Sequence, residues 1–304
     1  MPKSKNSQKA GNKGNKPTTH KKRKAKNKVS TAAIVTFSLL GLAVALCLLV
    51  ALVPSAKVFF RNLVNPPIES KHLYGIDLSR YQNELKWDEI GFYYDKRKDT
   101  IVFEANKEKR LPISFVFLKA TQGRAYDKTY AEKKENALKH GYKTGAYHIL
   151  VSDTNIVEQA NNFVNIAQLD SSNYPPILDI ESNLISRPYS EYRKRALLWL
   201  NTVEEMTGGK PLIYCSDKTR EQILNTPEFE DYHFWIARYD TTPPKSSDDW
   251  LFWQFTEKGR INGSKGKIDV SVWTGKKDEL EKWRQSCWHD PKARQAIEEE
   301  IDQE

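Results

Sequence analysis

Cysteine is scarce in this chain, with three residues (Cys47, Cys215 and Cys287) and no C-x-x-C spacing. That count and spacing argue against a disulfide framework or a cysteine-based zinc site. Cys47 lies inside an apolar run, so Cys215 and Cys287 are left with only each other, and two free thiols are expected. The chain also lacks phosphate loops, dinucleotide fingerprints and clusters of metal-ligating residues, so no cofactor and no metal is expected. One end lacks acids: residues 1–28 carry 11 Lys or Arg and no Asp or Glu. Beyond them, 37 basic residues face 39 acidic ones, a net charge of −2 against +9 for the whole chain. The basic character belongs to a tail, which leaves little support for a nucleic-acid-binding body.

Charge is missing altogether from residues 29–56, and 32–53 are almost wholly apolar. A helix of about 20 such residues crosses the ~30 Å hydrocarbon core of a bilayer. The run is longer than the about 7–15 apolar residues of a secretory signal, and Pro54-Ser55-Ala56 is a poor cleavage site. A transmembrane helix over 29–56 is therefore expected. Eleven basic residues precede it and only Lys57 and Arg61 follow closely. Positive charge stays on the cytoplasmic side, which predicts a single-pass cytoplasmic (inner) membrane protein. Its N-terminus would be inside and its body periplasmic or extracellular. The tail 1–28 has no apolar periodicity and is expected to be disordered; residues 57–72, with Pro66-Pro67, read as a linker.

From residue 73 short apolar runs alternate with amphipathic ones. The runs 73–77, 115–120, 144–150, 177–180 and 211–215 read as buried strands, and 128–140, 154–168 and 188–206 as helices. In the last helix Tyr192, Ala196, Trp199, Leu200 and Val203 recur near a 3.6-residue period. Gly141, Gly208 and Gly209 sit where helices stop. Strand, helix and strand at this spacing predict βαβ units around a parallel sheet. After about residue 232 the strands 233–237, 250–256 and 267–270 follow closely, with short helices or none between them. Eight strands predict an α/β fold, a TIM-like (β/α) barrel with irregular, helix-poor last units, spanning 73–284. Residues 88–112 read as a charged excursion on the barrel wall, and 285–304 as an acidic tail, helical or disordered.

A parallel barrel carries its chemistry at the C-terminal ends of its strands. Those ends hold Asp77 (YGIDLS), Tyr147-His148 (GAYH), Asp179-Ile180-Glu181 (PPILDIES), Arg238-Tyr239 (WIARYD), Trp253-Gln254 (FWQFT) and Asp269 (KIDVSVW). Alternate residues of a strand share a face, so Asp179 and Glu181 point the same way, roughly 6–7 Å apart. Two carboxyl groups that close separate their proton affinities, as glycoside hydrolysis requires of its acid and its negative partner. Each feature also has a plain reading. A lone D-x-E is ordinarily a solvated pair, Asp77 alone suits a cap, and His148 alone suits a hydrogen-bonded core histidine. Tyr239, Trp250 and Trp253 suit a core. The conjunction of acids at successive strand ends favours a site.

The ordered segments YGIDLSRYQ (74–82), FVFLKATQG (115–123), GAYHIL (145–150), PPILDIE (175–181), PLIYCS (211–216), FWIARYD (234–240), WLFWQFT (250–256) and GKIDVSVW (266–273) together resemble glycoside hydrolase family 25, the Chalaropsis or cellosyl type of lysozyme. The resemblance covers roughly 73–280. It implies a (β/α)-type barrel that cleaves the β-1,4 bond between N-acetylmuramic acid and N-acetylglucosamine. It further implies that Asp77, Asp179, Glu181 and Asp269 are the active-site acids, with Glu181 the general acid. Asp179 would assist the substrate's own N-acetyl group, with retention of configuration, and Tyr147, His148, Tyr239 and Trp253 would contact substrate. Peptidoglycan strands are the expected partner, and the membrane the expected anchor. Gln122 departs from the family pattern, which commonly has Glu in its K-A-T-E-G motif. Two other functions fit the same features: a glycan-binding cell-wall scaffold that has lost turnover, and a chitinase-like N-acetylhexosamine hydrolase.

Overall fold

Alternation along the strands decides which side chains fill the barrel and which meet the helices. On β5 (Phe115–Gln122) Phe115 and Phe117 belong to an inner aromatic cluster, while Val116 and Leu118 belong to the core under the helices. The same two-residue period runs through β8 (Ile177–Ile180), where Ile177 points in and Leu178 and Ile180 point out. The computed structural model describes residues 72–82, 84–95, 100–103, 110–181, 185–240, 242–244, 250–273 and 275–289.

Eight strands close on themselves. Going round, they are β1 (Leu73–Leu78), β5, β7 (Thr144–Ile149), β8, β9 (Leu212–Ser216), β10 (Phe234–Ala237), β11 (Trp250–Gly259) and β12 (Ile268–Trp273). Neighbours from β1 to β11 run parallel. The last strand, β12, is antiparallel to both β11 and β1. The expected barrel is therefore correct in its eight strands, but the final strand enters the ring from the opposite direction. Helices cover only part of the ring. These are α1 (Tyr130–Lys139), α2 (Ile156–Ala167) and α3 (Tyr189–Thr207), with a short helical segment over Asp217–Leu224 after β9 and α4 (Lys277–Ser286) after β12. In place of a helix between β1 and β5 stands a small antiparallel sheet of β2 (Phe92–Asp95), β3 (Thr100–Val102) and β4 (Arg110–Leu111), the expected excursion. A short β6 (Ala125–Tyr126) folds back on β5.

The helices form where their apolar faces meet the outer strand faces. In α3 the buried residues are Tyr192, Ala196, Trp199, Leu200 and Val203, and Gly208 ends the helix at φ 71°, a left-handed position that glycine adopts without strain. Asn155 caps α2 by accepting from the Glu158 N–H. Cys215 and Cys287 are both buried, and no disulfide joins them. The segment expected to start an acidic tail instead packs on the barrel: Trp288 bridges Gly209, and the Lys210 N–H donates to the Cys287 carbonyl at 2.7 Å. Backbone pairing with the barrel thus continues to His289, whose N–H donates to the Gly208 carbonyl at 2.8 Å. The expected tail 1–28, span 29–56 and nearly all of the linker lie outside the described residues, as do 290–304. Among the described residues no helix is long and apolar enough to cross a membrane.

Inside, the lower barrel is filled by rings: Phe117 lies 4.8 Å from Trp235, and Phe115 5.0 Å from Phe252, between centroids. Gly75 on β1 makes this possible, since a Cβ there would overlap the Phe115 ring. Gly75→Ala is expected to lower stability by about 1–3 kcal/mol, the usual range for overpacking a filled core. Urea unfolding measures it, and an unchanged midpoint would show that the ring yields freely.

Candidate active site

Above the aromatic fill the inward positions turn polar. Asp77 on β1 and Asp269 on β12 are direct register partners. Asp269 stands near the start of its strand, not at its end as expected. It still reaches the same rim as the other acids because β12 is antiparallel. Gln254 on β11 donates from Nε2 to both Asp77 carboxyl oxygens, at 3.0 and 3.2 Å. Its Oε1 accepts from the Tyr214 and Tyr239 hydroxyls, each at 2.8 Å. Burial, and then the neighbouring Asp269 charge, push Asp77 well above the usual carboxylate range. Asp269 is itself pushed up to about 6 by burial, against the opposing hydrogen bond from Asp77. Burial and the mutual repulsion of the two carboxyls thus favour keeping a proton on Asp77.

Asp179 faces them from β8. It is 4 % exposed, and its Oδ1 has no hydrogen-bond partner. Burial pushes it well above the usual range, the Glu181 charge adds to this, and the Lys119 ammonium opposes it. Glu181, immediately after β8, is half-buried at the mouth. The two acids of the D-x-E thus share a face, as their spacing predicts, but differ in depth. Asp77, Asp179, Glu181 and Asp269 all line one cleft of about 230 Å³, with Tyr147, Tyr239 and Lys119 among its other walls. A volume under the ~300 Å³ of typical ligand pockets suits the floor of an open groove.

Two expected contacts lie elsewhere. His148 is fully buried and faces the helices, because its neighbour Tyr147 takes the inward position. Its Nδ1 meets Thr121 Oγ1 at 2.7 Å and its Nε2 meets Gln159 Oε1 at 3.1 Å, and the ring stacks on Trp199 with centroids 5.2 Å apart. Burial pushes it down to about 3, so it is a neutral structural residue. Trp253 likewise points outward, next to inward Gln254. Its Nε1 donates to the Arg238 carbonyl at 2.8 Å, steadying the turn that presents Tyr239.

Four acids converging on the strand-end rim of an eight-stranded barrel call for comparison with known proteins. The model of the family described as glycosyl hydrolases family 25 matches residues 76–264. The chain belongs to glycosyl hydrolase family 25. It is 29 % identical over 211 residues to the protein YegX of Escherichia coli (strain K12), covering 69 % of this chain and 72 % of YegX. It is 24 % identical over 230 residues to Lysozyme M1 of Streptomyces globisporus, covering 69 % and 70 %. The crystal structure of the bacterial lysozyme from Streptomyces coelicolor superimposes with a TM-score of 0.59 at 22 % identity, over 71 % of this chain and 98 % of that one. At that identity the likeness shows a common fold.

The cleft of this family 25 glycoside hydrolase is also lined by residues that the motifs do not single out. Gln254 was noted only as a strand end, and Tyr214 and Lys119 not at all. Each lies two residues beyond an inward core residue of its strand, so counting by twos from Phe117, Leu212 and Phe252 finds them. Asp127 was missed too; it holds the loop after β1 by accepting from the Arg80 N–H at 2.7 Å. A surface-type composition gave it no signal.

A stability test follows from Asp179. Its raised folded value means the native protein retains a proton that the unfolded chain loses above about 3.9. This group therefore destabilises the fold increasingly as pH climbs from there to the folded value. Asp179→Asn should show little gain in melting temperature near pH 4 and a growing gain toward pH 8. A difference that is flat with pH would contradict the assignment.

Proposed function

We propose that this protein is a membrane-anchored N-acetylmuramidase that cuts the β-1,4 bond between N-acetylmuramic acid and N-acetylglucosamine in peptidoglycan. The observation that carries the reading is the buried, unpartnered Asp179 Oδ1 set below the half-buried Glu181 in an open cleft. A buried oxygen without a donor is costly unless something fills it. The acetamido N–H of a hexosamine is a donor of the right kind. In this scheme it bonds to Oδ1, which favours the carboxylate and turns the amide oxygen toward C1. Glu181 protonates the glycosidic oxygen as the C1–O bond breaks and the amide oxygen bonds to C1. Glu181, now a carboxylate, takes a proton from water, whose oxygen attacks C1 and expels the amide oxygen. Two inversions give retention. Substrate participation of this kind departs from the two-carboxylate scheme of most retaining enzymes.

The wall glycan, as opposed to another hexosamine polymer, is supported by the lysozyme name of the Streptomyces globisporus relative. The apolar, uncharged span 29–56 with its basic N-terminal flank supports an anchor that holds the barrel outside the cytoplasmic membrane, where peptidoglycan lies. Asp77 and Asp269 sit side by side on β1 and β12 across the cleft and would receive substrate hydroxyls. Tyr147 and Tyr239 would contact the sugar rings.

Glu181→Gln is expected to reduce the release of reducing ends from purified peptidoglycan by about 10²-fold or more, the usual contribution of a general acid. The circular dichroism spectrum should not change. Mass spectrometry of the wild-type products should find muramic acid at the new reducing end. N-acetylglucosamine there would mean a chitinase-like enzyme, and wall binding without any new reducing ends would mean a scaffold.

A further inference from the structure

Lys119 is the one cation among the described residues that line the cleft. Its Nζ donates at 2.7 Å to Oε1 of Gln122, a neutral partner. Residues three apart on a regular strand face opposite ways. Here a bulge intervenes: Lys119 pairs with Tyr147 and Thr121 with His148, so Ala120 is an extra residue on β5. The bulge turns Lys119 and Gln122 to the same side, a local re-aiming that bulges near active sites often provide. A long lysine stem usually carries its charge out to water. This one is half-buried and tethered beside Asp179 and Glu181.

We propose that Lys119 is a positioning residue whose charge, left uncompensated by the neutral Gln122, sets the pH range over which the Asp179–Glu181 pair works. The proposal rests on the hydrolase reading of that pair. The charged groups around Lys119 are Asp179 and Glu181 from the end of β8, Asp127 after β6 and Arg80 after β1. The Tyr147 hydroxyl, which burial pushes well above its usual range, adds no charge there, and the Tyr81 hydroxyl at the mouth is pulled down chiefly by its hydrogen bond with Arg80. Asp179 in turn feels Glu181 and, across the cleft, Asp77. Removal of the positive charge leaves acids facing acids. A nearby cation stabilises carboxylates, so weakening its field raises their proton affinity and moves both limbs of an activity profile to higher pH.

The test places a carboxylate where the amide now sits. Gln122→Glu would form an ion pair with Lys119 and cancel much of its field. The pH profile of kcat/KM on purified peptidoglycan, with the full-length chain in detergent, should move to higher pH by about 0.5–1 pH unit, part of the 1–3 units a close partner charge can give. Lys119→Met should move it the same way, and Lys119→Arg should restore the wild-type profile. Carboxyl-carbon NMR titration of Asp179 in the same proteins supplies a readout that needs no turnover. If that titration moves while no variant cleaves the wall, the electrostatic role stands and the muramidase reading falls. If profile and titration both superimpose on wild type in Gln122→Glu, the proposal is overturned. Equal unfolding midpoints of Gln122→Glu and wild type are expected and check that the fold is unaltered.

Discussion

The aromatic fill of the lower barrel is the constraint on which the rest depends. Phe115, Phe117, Trp235 and Phe252 pack ring against ring across the interior, with Trp273 and Trp283 extending the contacts toward α4. Such rings bury large apolar areas and hold specific geometries. They close the barrel from below, so every inward residue above them sits on a floor that excludes water. The raised proton affinities of Asp77, Asp179 and Asp269 each have burial as their leading cause. Packing that stabilises the fold therefore also prepares the acids.

The acids destabilise the protein in return, and the structure limits the damage unevenly. Asp77 receives two hydrogen bonds from Gln254, which is itself held by two tyrosine hydroxyls. Asp179 Oδ1 receives none. A satisfied group next to an unsatisfied one distinguishes a frame from a working atom, since buried polar atoms are seldom left open without a task. The outer face of the same strands shows the contrast. His148, one residue along from Tyr147, is fully hydrogen-bonded and stacked, and has no access to the cleft.

Much of this was legible in the amino-acid sequence. The eight barrel strands and the three long helices fall within about three residues of their expected limits, because hydrophobic period separates buried strands from amphipathic helices. Asp179 and Glu181 share a face, as a spacing of two demands. The errors have one source. His148 and Trp253 were grouped with the site because they end strands, yet strand ends carry two faces, and parity sends these two outward. Asp269 was placed correctly at the rim for the wrong reason, since strand direction is not written in a single run of apolar residues.

What the sequence determined by itself was the number and type of elements, the alternation of faces along each regular stretch of strand, and the common face of Asp179 and Glu181. These are local properties, set by side-chain polarity and a period of two or 3.6 residues. Only the tertiary structure decided the antiparallel entry of β12, which pairs Asp77 with Asp269. It alone decided the bulge at Ala120, which brings Lys119 to Gln122. It also decided the difference in depth between Asp179 and Glu181. Each of these depends on which strand lies alongside and how far the ring closes above the aromatic fill, and such contacts join residues distant in the chain.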